Sequence, residues 1–217
     1  MYLKFIDREG ELMANTADLK RSITYDALDE KMLMLIEKSG VTFLSGEIES
    51  GASSIFFIAT SYIMATRPGK PIWIILNTLG GSATECFAIC DLMRAITKNG
   101  TPLYVLGIGC VASAGVAIMQ MASERYSLPN TQFLVHQASR YLEAGSEETS
   151  QGEERVEELK RKNKIFLSMI SERSGMSLED LASLAKKTDH WLDAKTAKGF
   201  GQNGLIDKIV EEFPFQL

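Results

Sequence analysis

The sequence has few histidines, cysteines and prolines. Its 217 residues include only 2 His, 3 Cys and 5 Pro. The odd number of cysteines, all in apolar stretches, matches neither a disulfide framework nor the ligand spacing of a zinc site. We therefore expect Cys86, Cys90 and Cys110 to be buried thiols. Any chemistry that needs an imidazole has two candidates, His136 and His190.

An excess of basic residues is also lacking. Lys and Arg total 23 against 28 Asp and Glu, which gives a net charge of -5 and argues against a nucleic-acid surface. The hydrophobic fraction of 45% is typical of a globular protein with a substantial core. The first residues have no apolar signal segment, so the sequence predicts a cytoplasmic protein. The glycine-rich turns lack the lysine spacing of a phosphate-binding loop, and we expect neither a cofactor nor a metal.

One long segment carries no charge. Residues 99–123 are long enough to cross a bilayer. Glycines and Pro102 interrupt this segment, which therefore predicts a strand and a helix buried in an α/β core and no membrane span.

Strands and helices alternate along the first half of the chain. Residues 1–25 show no sustained period and are interpreted as an N-terminal arm, followed by a predicted helix over Ala27–Ser39. The next predicted strand-helix pairs are Val41–Leu44 with Ala52–Thr66, Pro71–Leu76 with Ala83–Thr97, and Leu103–Ile108 with Ser113–Ser123. Parallel strands need such crossovers, so residues 26–217 are predicted to form one α/β domain with helices on the faces of a mostly parallel sheet.

The pattern changes after residue 125. Extended segments are predicted over Arg125–Ser127, Thr131–His136, Asp189–Leu192 and Leu205–Val210. A long helix is predicted over Glu147–Ser174, a second, capped by Ser177, ends at Lys187, and a small one covers Ala194–Gly199.

Two predicted strands end in glycine-rich turns, residues 78–82 and 107–113. Functional sites of parallel sheets form at the carboxyl ends of the strands. The pair Gly80-Gly81 has no side chain to obstruct the approach of a substrate.

Ser113 lies between a predicted strand and a predicted helix, among small residues. This position resembles a nucleophile elbow, although Val111 replaces the first glycine of G-x-S-x-G. A serine at a helix start is also a common N-cap, so both interpretations stay open. His136, at a strand end, is either a catalytic base or a structural histidine, and the structural interpretation is favoured for His190.

A serine nucleophile needs a base to take its proton and an acid to orient that base. Ser113, His136 and Asp189 are the candidates for these three roles. Backbone N–H groups of the Gly80-Gly81 turn and of Ala114 are candidates for stabilising an oxyanion.

Together these segments resemble the Clp protease proteolytic subunit family of serine peptidases. Leu76-Asn77-Thr78-Leu79-Gly80-Gly81-Ser82 is similar to the family's I-N-S-P-G-G-S, and residues 110–115 (CVASAG) to its Q-A-A-S-M-G. The segments LPN and FLVHQ of residues 128–137 resemble L-P-N-S-R-V-M-I-H-Q, and TDHWL and GLID resemble R-D-R-F-L and G-L-V-D. The resemblance extends from Val41 to Val210.

The resemblance implies a role for each candidate. Ser113 corresponds to the nucleophile, His136 to the general base and Asp189 to the orienting acid, and the N–H groups of Gly81 and Ala114 correspond to the oxyanion hole. It further implies a crotonase-like fold, two stacked seven-subunit rings, and a chamber that degrades polypeptides delivered by an ATP-driven AAA+ unfoldase.

The helix over Glu147–Ser174 resembles the family's protruding handle helix. The resemblance suggests that its apolar stripe is buried between rings. That stripe comprises Val156, Leu159, Ile165, Phe166, Met169 and Ile170. Within a single subunit the same stripe would be ordinary core.

Three departures from the family pattern stand out, and the resemblance links the second to contacts between rings and the third to docking of the unfoldase. Leu79 replaces the proline before the paired glycines, Thr188 replaces the arginine before the acid, and residues 95–102 lack an aromatic residue. Such departures are typical of a divergent or phage-type member.

Three other functions are alternatives to a serine endopeptidase that degrades polypeptides in a chamber. They are a capsid-maturation peptidase of the same fold, a crotonase-type acyl-CoA enzyme that uses only the paired backbone donors, and an inactive scaffold subunit.

Overall fold

The computed structural model describes residues 36–138, 149–187 and 189–216. The predicted N-terminal arm of residues 1–25 lies outside the described residues, as does most of the helix predicted over Ala27–Ser39. Residues 36–39 are helical, in agreement with the end of that prediction. Thr188 and residues 147–148 also lie outside the described ranges.

Three consecutive β-α units form the first half of the described chain. They are β1 (Val41–Ile48) with α1 (Ala52–Thr66), β2 (Ile72–Gly81) with α2 (Ala83–Lys98), and β3 (Leu103–Ala112) with α3 (Ala114–Gln120). The strands pair in parallel in the order β1-β2-β3, which confirms the predicted units and their connections.

The remaining elements extend the same sheet. They are β4 (Glu124–Ser127), β5 (Gln132–Val135), α4 (Thr149–Ser174), α5 (Leu178–Lys187), β6 (His190–Asp193), α6 (Ala194–Lys198) and β7 (Lys208–Ile209). β4 and then β7 follow β3 in parallel, while β5 pairs with β3 in parallel and with β6 antiparallel. The predicted α/β class with a mostly parallel sheet is confirmed.

β3 changes its neighbour halfway along its length. Residues 104–107 pair with β4, whereas residues 110–112 pair with β5. At the change, one residue of β2, Asn77, stands opposite three residues of β3, Ile108, Gly109 and Cys110. This bulge directs the end of β3 toward β5.

Three strands continue past the residues at which we predicted that they end. β1 continues beyond Leu44, β2 beyond Leu76, and β3 beyond Ile108. The predicted turn at Gly80-Gly81 is wrong, because both glycines pair with β1. The sequence signal is ambiguous, since a bulge inside a strand uses glycine with positive φ just as a turn does.

Two predicted elements are shorter in the structure. α3 begins at Ala114 rather than Ser113 and ends at Gln120 rather than Ser123, whose N–H donates to the Leu103 carbonyl at 2.7 Å and returns the chain to the sheet. The last strand is Lys208–Ile209 rather than Leu205–Val210, because only these two residues pair with β4.

The helices pack on one face of the sheet. The main core includes Ile74, Met93, Phe133 and all the apolar residues of α3 except its glycine, and every residue of α3 is buried. Most of the uncharged segment 99–123 is therefore buried, as predicted, while Asn99, Gly100 and Gly109 are exposed. On the opposite face, Trp73, Tyr126 and their apolar neighbours form a second cluster, to which none of the described helices contributes. The expectation of helices on both faces is thus wrong for the described residues.

Within the ranges that the structure describes, no helix combines the length and the apolar character that a membrane span requires.

The long helix α4 is divided between solvent and core. Most residues of its first half are exposed, and Val156 is 51% exposed, so this half protrudes from the domain. Phe166, Met169 and Ile170 of the second half are buried in the subunit's own core. The suggestion that these three side chains lie between rings is therefore wrong, because α3 and the rest of the core already cover them.

Arg125 anchors the end of the chain to the sheet. Its side chain is 1% exposed and donates to Asp207, to Gln120 Oε1 at 2.6 Å and to the Gly204 and Asn203 carbonyls at 2.8 and 3.0 Å. The Arg125 N–H also donates to Asp207 Oδ2 at 2.8 Å. Burial acts to raise the pKa of Asp207, but the Arg125 hydrogen bonds and charge outweigh it and lower that pKa.

Replacement of Asp207 is expected to reveal a pH-dependent contribution to stability. A lowered folded-state pKa means that the contribution is complete above the ordinary aspartate value of 3.8 and is lost as the pH falls through the lowered value. Asp207→Asn should lower the free energy of unfolding at pH 7 by about 3 kcal/mol, because the buried Arg125 charge loses its counterion.

Urea unfolding of wild type and Asp207→Asn between pH 7 and pH 3 measures this difference. The matched control is Asp91→Asn, whose carboxylate is 76% exposed and pairs with Arg94 at 3.8 Å, and it should change stability by less than about 0.5 kcal/mol. A difference for Asp207→Asn that stays constant down to pH 3 would contradict the assignment.

Candidate active site

Ser113 occupies the junction between β3 and α3 in an unusual backbone conformation. Its φ of 53° and ψ of -122° make it the one non-glycine residue with positive φ among the described residues. It stands at the N-cap position of α3, yet its hydroxyl makes no capping hydrogen bond. Such a conformation costs on the order of 1–2 kcal/mol. A role as N-cap would not offset this cost, because the hydroxyl forms no capping hydrogen bond.

The surrounding backbone holds Ser113 in place. Its N–H donates to the Leu134 carbonyl of β5 at 3.0 Å, and its own carbonyl accepts the Val116 N–H at 2.9 Å. These two bonds fix the residue between β5 and the first turn of α3.

Gly80 packs directly against Ser113. A β-carbon added at Gly80 would lie 2.6 Å from the Ser113 β-carbon and 3.1 Å from the Ala114 nitrogen. Gly80 has a φ of 100°, and its N–H donates to Thr78 Oγ1 at 2.9 Å. The end of β2 can approach the serine this closely only with glycine at position 80.

His136 and Asp189 meet across two antiparallel strands. His136 follows β5, Asp189 precedes β6, and Val135 pairs with His190 between them. The distance from His136 Nδ1 to Asp189 Oδ1 is 3.9 Å, which is ion-pair range and longer than a hydrogen bond. His136 is largely buried, with a side chain 21% exposed, whereas the Asp189 side chain is 66% exposed.

The sheet brings the three predicted residues to one place. Ala112 pairs with Leu134, two positions before His136, so Ser113, the next residue, lies beside the end of β5. Ser113 and His136 therefore follow the carboxyl ends of neighbouring strands, where parallel sheets form their sites, and Asp189 lies beside His136. His190 lies on β6 with its ring centroid 6.4 Å from that of Phe200, in keeping with the structural interpretation.

Gly81 and Ala114, the two candidate oxyanion donors, each adjoin a residue of the contact between Gly80 and Ser113. Ala114 is the first residue of α3, and its N–H therefore has no partner within that helix. Gly81 pairs with Ile48 at the end of β2, and the next N–H, that of Ser82, donates to the Ile48 carbonyl at 2.7 Å.

Several side chains support this region without having been predicted to do so. Asn163 of α4 accepts the Ala138 N–H at 2.8 Å and ties the segment after His136 to the long helix. Glu85 of α2 accepts the Ser53 N–H at 2.8 Å, and these hydrogen bonds from Ser53 lower the pKa of Glu85. The sequence carried a signal for Thr78, which belongs to the glycine-rich motif, but none for Asn163.

The cysteines differ in their surroundings. Cys86 and Cys90 are buried, as predicted, and Cys86 Sγ donates to the Ala114 carbonyl at 3.5 Å. A hydrogen bond with Cys86, together with burial, raises the pKa of Cys90 well above its ordinary value. Cys110 is only half-buried, so the prediction was wrong for this residue, which lies in the bulge of β3. Among the described residues, no group of three His, Cys, Asp or Glu side chains has the geometry to hold a metal ion.

Comparison with known proteins agrees with this architecture. Residues 26–213 match the family model described as Clp protease. The chain is 31% identical over 200 residues to the ATP-dependent Clp protease proteolytic subunit 2 of Treponema denticola, covering 90% of this chain and 93% of that protein.

Two other relatives give a similar picture. The ATP-dependent Clp protease proteolytic subunit of Lactococcus lactis is 29% identical over 174 residues, 80% of this chain and 84% of that protein. The proteolytic subunit 2 of Treponema pallidum is 29% identical over 171 residues, 78% and 81% of the two chains. The parallel sheet and the protruding helix fit the crotonase-like fold that the resemblance implied, and the chain belongs to the Clp protease family.

Proposed function

We propose that the protein is a serine endopeptidase with Ser113 as nucleophile, His136 as general base and Asp189 as orienting acid. Ser113 Oγ attacks the carbonyl carbon of a peptide bond while His136 takes the hydroxyl proton. His136 then gives this proton to the leaving amine, and water hydrolyses the acyl-enzyme in a second step. This reaction uses no cofactor.

The conformation of Ser113 is the observation that carries the proposal. Positive φ at a non-glycine residue persists only where the surrounding structure enforces it, and it is common at catalytic sites. Here Gly80 and the bond to Leu134 enforce it, and the hydroxyl is left without a structural task in α3. The 3.9 Å between His136 and Asp189 supports the proposal, since catalytic hydrogen bonds are often long before substrate binds.

The backbone around Ser113 supports an oxyanion hole formed by Gly81 and Ala114. Successive N–H groups of a strand point to opposite sides, and the Ser82 N–H points toward β1. We therefore propose that the Gly81 N–H points away from β1, toward the serine. Together with the unpaired first N–H of α3, this gives two donors for the developing negative charge.

The substrates of the proposed reaction are polypeptides, and the active assembly is a pair of stacked heptameric rings. The protruding first half of α4, with Val156 exposed, provides a surface for contact between rings. The names of the relatives include the term ATP-dependent, and we propose that a separate AAA+ unfoldase uses the ATP and delivers substrate to the chamber.

Reaction with a fluorophosphonate serine probe tests the nucleophile. Wild type should take one adduct, mapped by mass spectrometry to Ser113, because His136 activates that hydroxyl. Ser113→Ala should take none and should lose peptidase turnover by roughly a thousandfold or more while keeping its fold. His136→Ala should label far more slowly.

The matched control is Ser183→Ala, on the exposed side of α5, which should label and turn over like wild type. Wild type that is folded and assembled yet takes no adduct would contradict the proposal and favour a scaffold role or acyl-CoA chemistry. An adduct on another serine would refute the assignment of Ser113.

Gly80→Ala is expected to reduce activity by about a hundredfold, because the new methyl group displaces Ser113 and the Ala114 N–H. Gly69→Ala is a matched control, since Gly69 also has positive φ, 71°, but an added β-carbon there meets nothing within 4 Å. Both variants should lose about 1 kcal/mol of stability from backbone strain, Gly80→Ala should lose more because of its clash, and only Gly80→Ala should lose kcat. Equal activities in the two variants would refute the role of the close approach.

Light scattering coupled to size-exclusion chromatography tests the assembly. Two stacked heptamers contain fourteen chains of 24.0 kDa each. We expect a single species of about 340 kDa at micromolar concentration, from summed interfaces typical of obligate oligomers. A sharp species of one chain mass in active enzyme would contradict the ring proposal.

A further inference from the structure

Asn77 is joined by its side chain to the bulge that leads into Ser113. It is half-buried in β2, and its Oδ1 accepts the Cys110 N–H at 3.1 Å. This hydrogen bond spans the place where one residue of β2 faces three residues of β3. The side chain therefore replaces a ladder hydrogen bond that the bulge removes.

Gly109 is fitted to the same side chain. Its φ is 60°, and a β-carbon added there would lie 2.9 Å from Asn77 Oδ1, 3.4 Å from Cγ and 3.6 Å from Nδ2. All three of the nearest atoms belong to Asn77. The amide and the glycine thus form one contact that sets the path of the bulge.

The bulge determines where Ser113 lies. Residues 110–112, the first of which is the last residue of the bulge, pair with β5 and lead directly into the serine. Ser113 is three residues from the Cys110 N–H that Asn77 holds, and its own N–H bonds to Leu134 of the same β5 strand. A shift of the bulge would move the serine relative to His136, which follows β5.

We propose that Asn77 is a positioning residue for the nucleophile, which it holds in register with β5 through the Cys110 N–H. The inference rests on the proposed function of Ser113. In this role Asn77 does not contact the substrate. Loss of the Oδ1 acceptor lowers the rate of acylation, because a displacement of about 1 Å at the reacting atom reduces rates strongly.

Three substitutions test this role. Asn77→Ala removes the acceptor and should lower kcat for a small peptide at least tenfold with KM changed less than threefold. Asn77→Asp keeps an acceptor oxygen in the same place and should stay within about threefold of wild type. Asn130→Ala, an exposed asparagine in the turn before β5, is the matched control and should match wild type.

Gly109→Ala gives a second, independent perturbation of the same contact. The three atoms nearest to its added methyl group all belong to Asn77, so it should lower kcat in the wild-type background and have a smaller effect in Asn77→Ala. Additive effects of the two substitutions would overturn the inference.

Two further measurements separate positioning from general stability. The rate of fluorophosphonate labelling at Ser113 should fall with kcat in Asn77→Ala, and amide hydrogen exchange across residues 107–116 should be faster. Faster exchange or a lower melting temperature with an unchanged labelling rate would overturn the positioning role and leave the proposed function standing. Failure of the wild type to label at Ser113 would overturn both.

Discussion

The candidate site depends on one constraint, the exchange of neighbours along β3. This strand stays paired with β2 while its other partner changes from β4 to β5. The change needs two extra residues in β3 opposite Asn77, and Gly109 with positive φ provides the bend. Because β5 ends immediately before His136, the exchange is also what brings the serine at the end of β3 close to the histidine. A sheet without the bulge would keep β3 beside β4 and would leave Ser113 far from β5.

Close packing then allows Ser113 to keep a costly backbone conformation. Gly80 lies against the serine on one side, and on the other Gly115 lies against Thr78, whose Cγ2 would be 2.5 Å from an added β-carbon. The contact at position 80 has little room to relax, because the Ala112 carbonyl oxygen and the Ala114 nitrogen, both backbone atoms, lie beside the Ser113 β-carbon there. Strain of this kind is stable only when several contacts determine the same geometry. The same atoms that enforce the strain also surround the place where a peptide carbonyl would react.

The extent to which this structure follows from the sequence differs between local and non-local features. Ala52–Thr66 was predicted to the residue and α2 to within one, because apolar spacing and caps are local signals. The predicted ends of β1, β2 and β3 were wrong, because glycine occurs both in turns and in bulges. Only the pairing with a strand distant in sequence shows which of the two a glycine forms. The candidates Ser113, His136 and Asp189 come from their residue types, from their positions beside predicted extended segments and from the family resemblance. Asn163, which bonds to backbone 25 residues away, leaves no local pattern.

The structure also gives a physical reason why leucine is compatible with position 79. In the family pattern a proline precedes the paired glycines, and its fixed φ would restrict the backbone just before them. Here the Gly80 N–H bonds to Thr78 Oγ1, and the Gly80 backbone is confined by Ser113 and Ala114. Neither contact involves residue 79, whose side chain is 72% exposed. The geometry beside the serine is therefore retained without the proline, and the substitution changes the surface at the edge of the site rather than its interior.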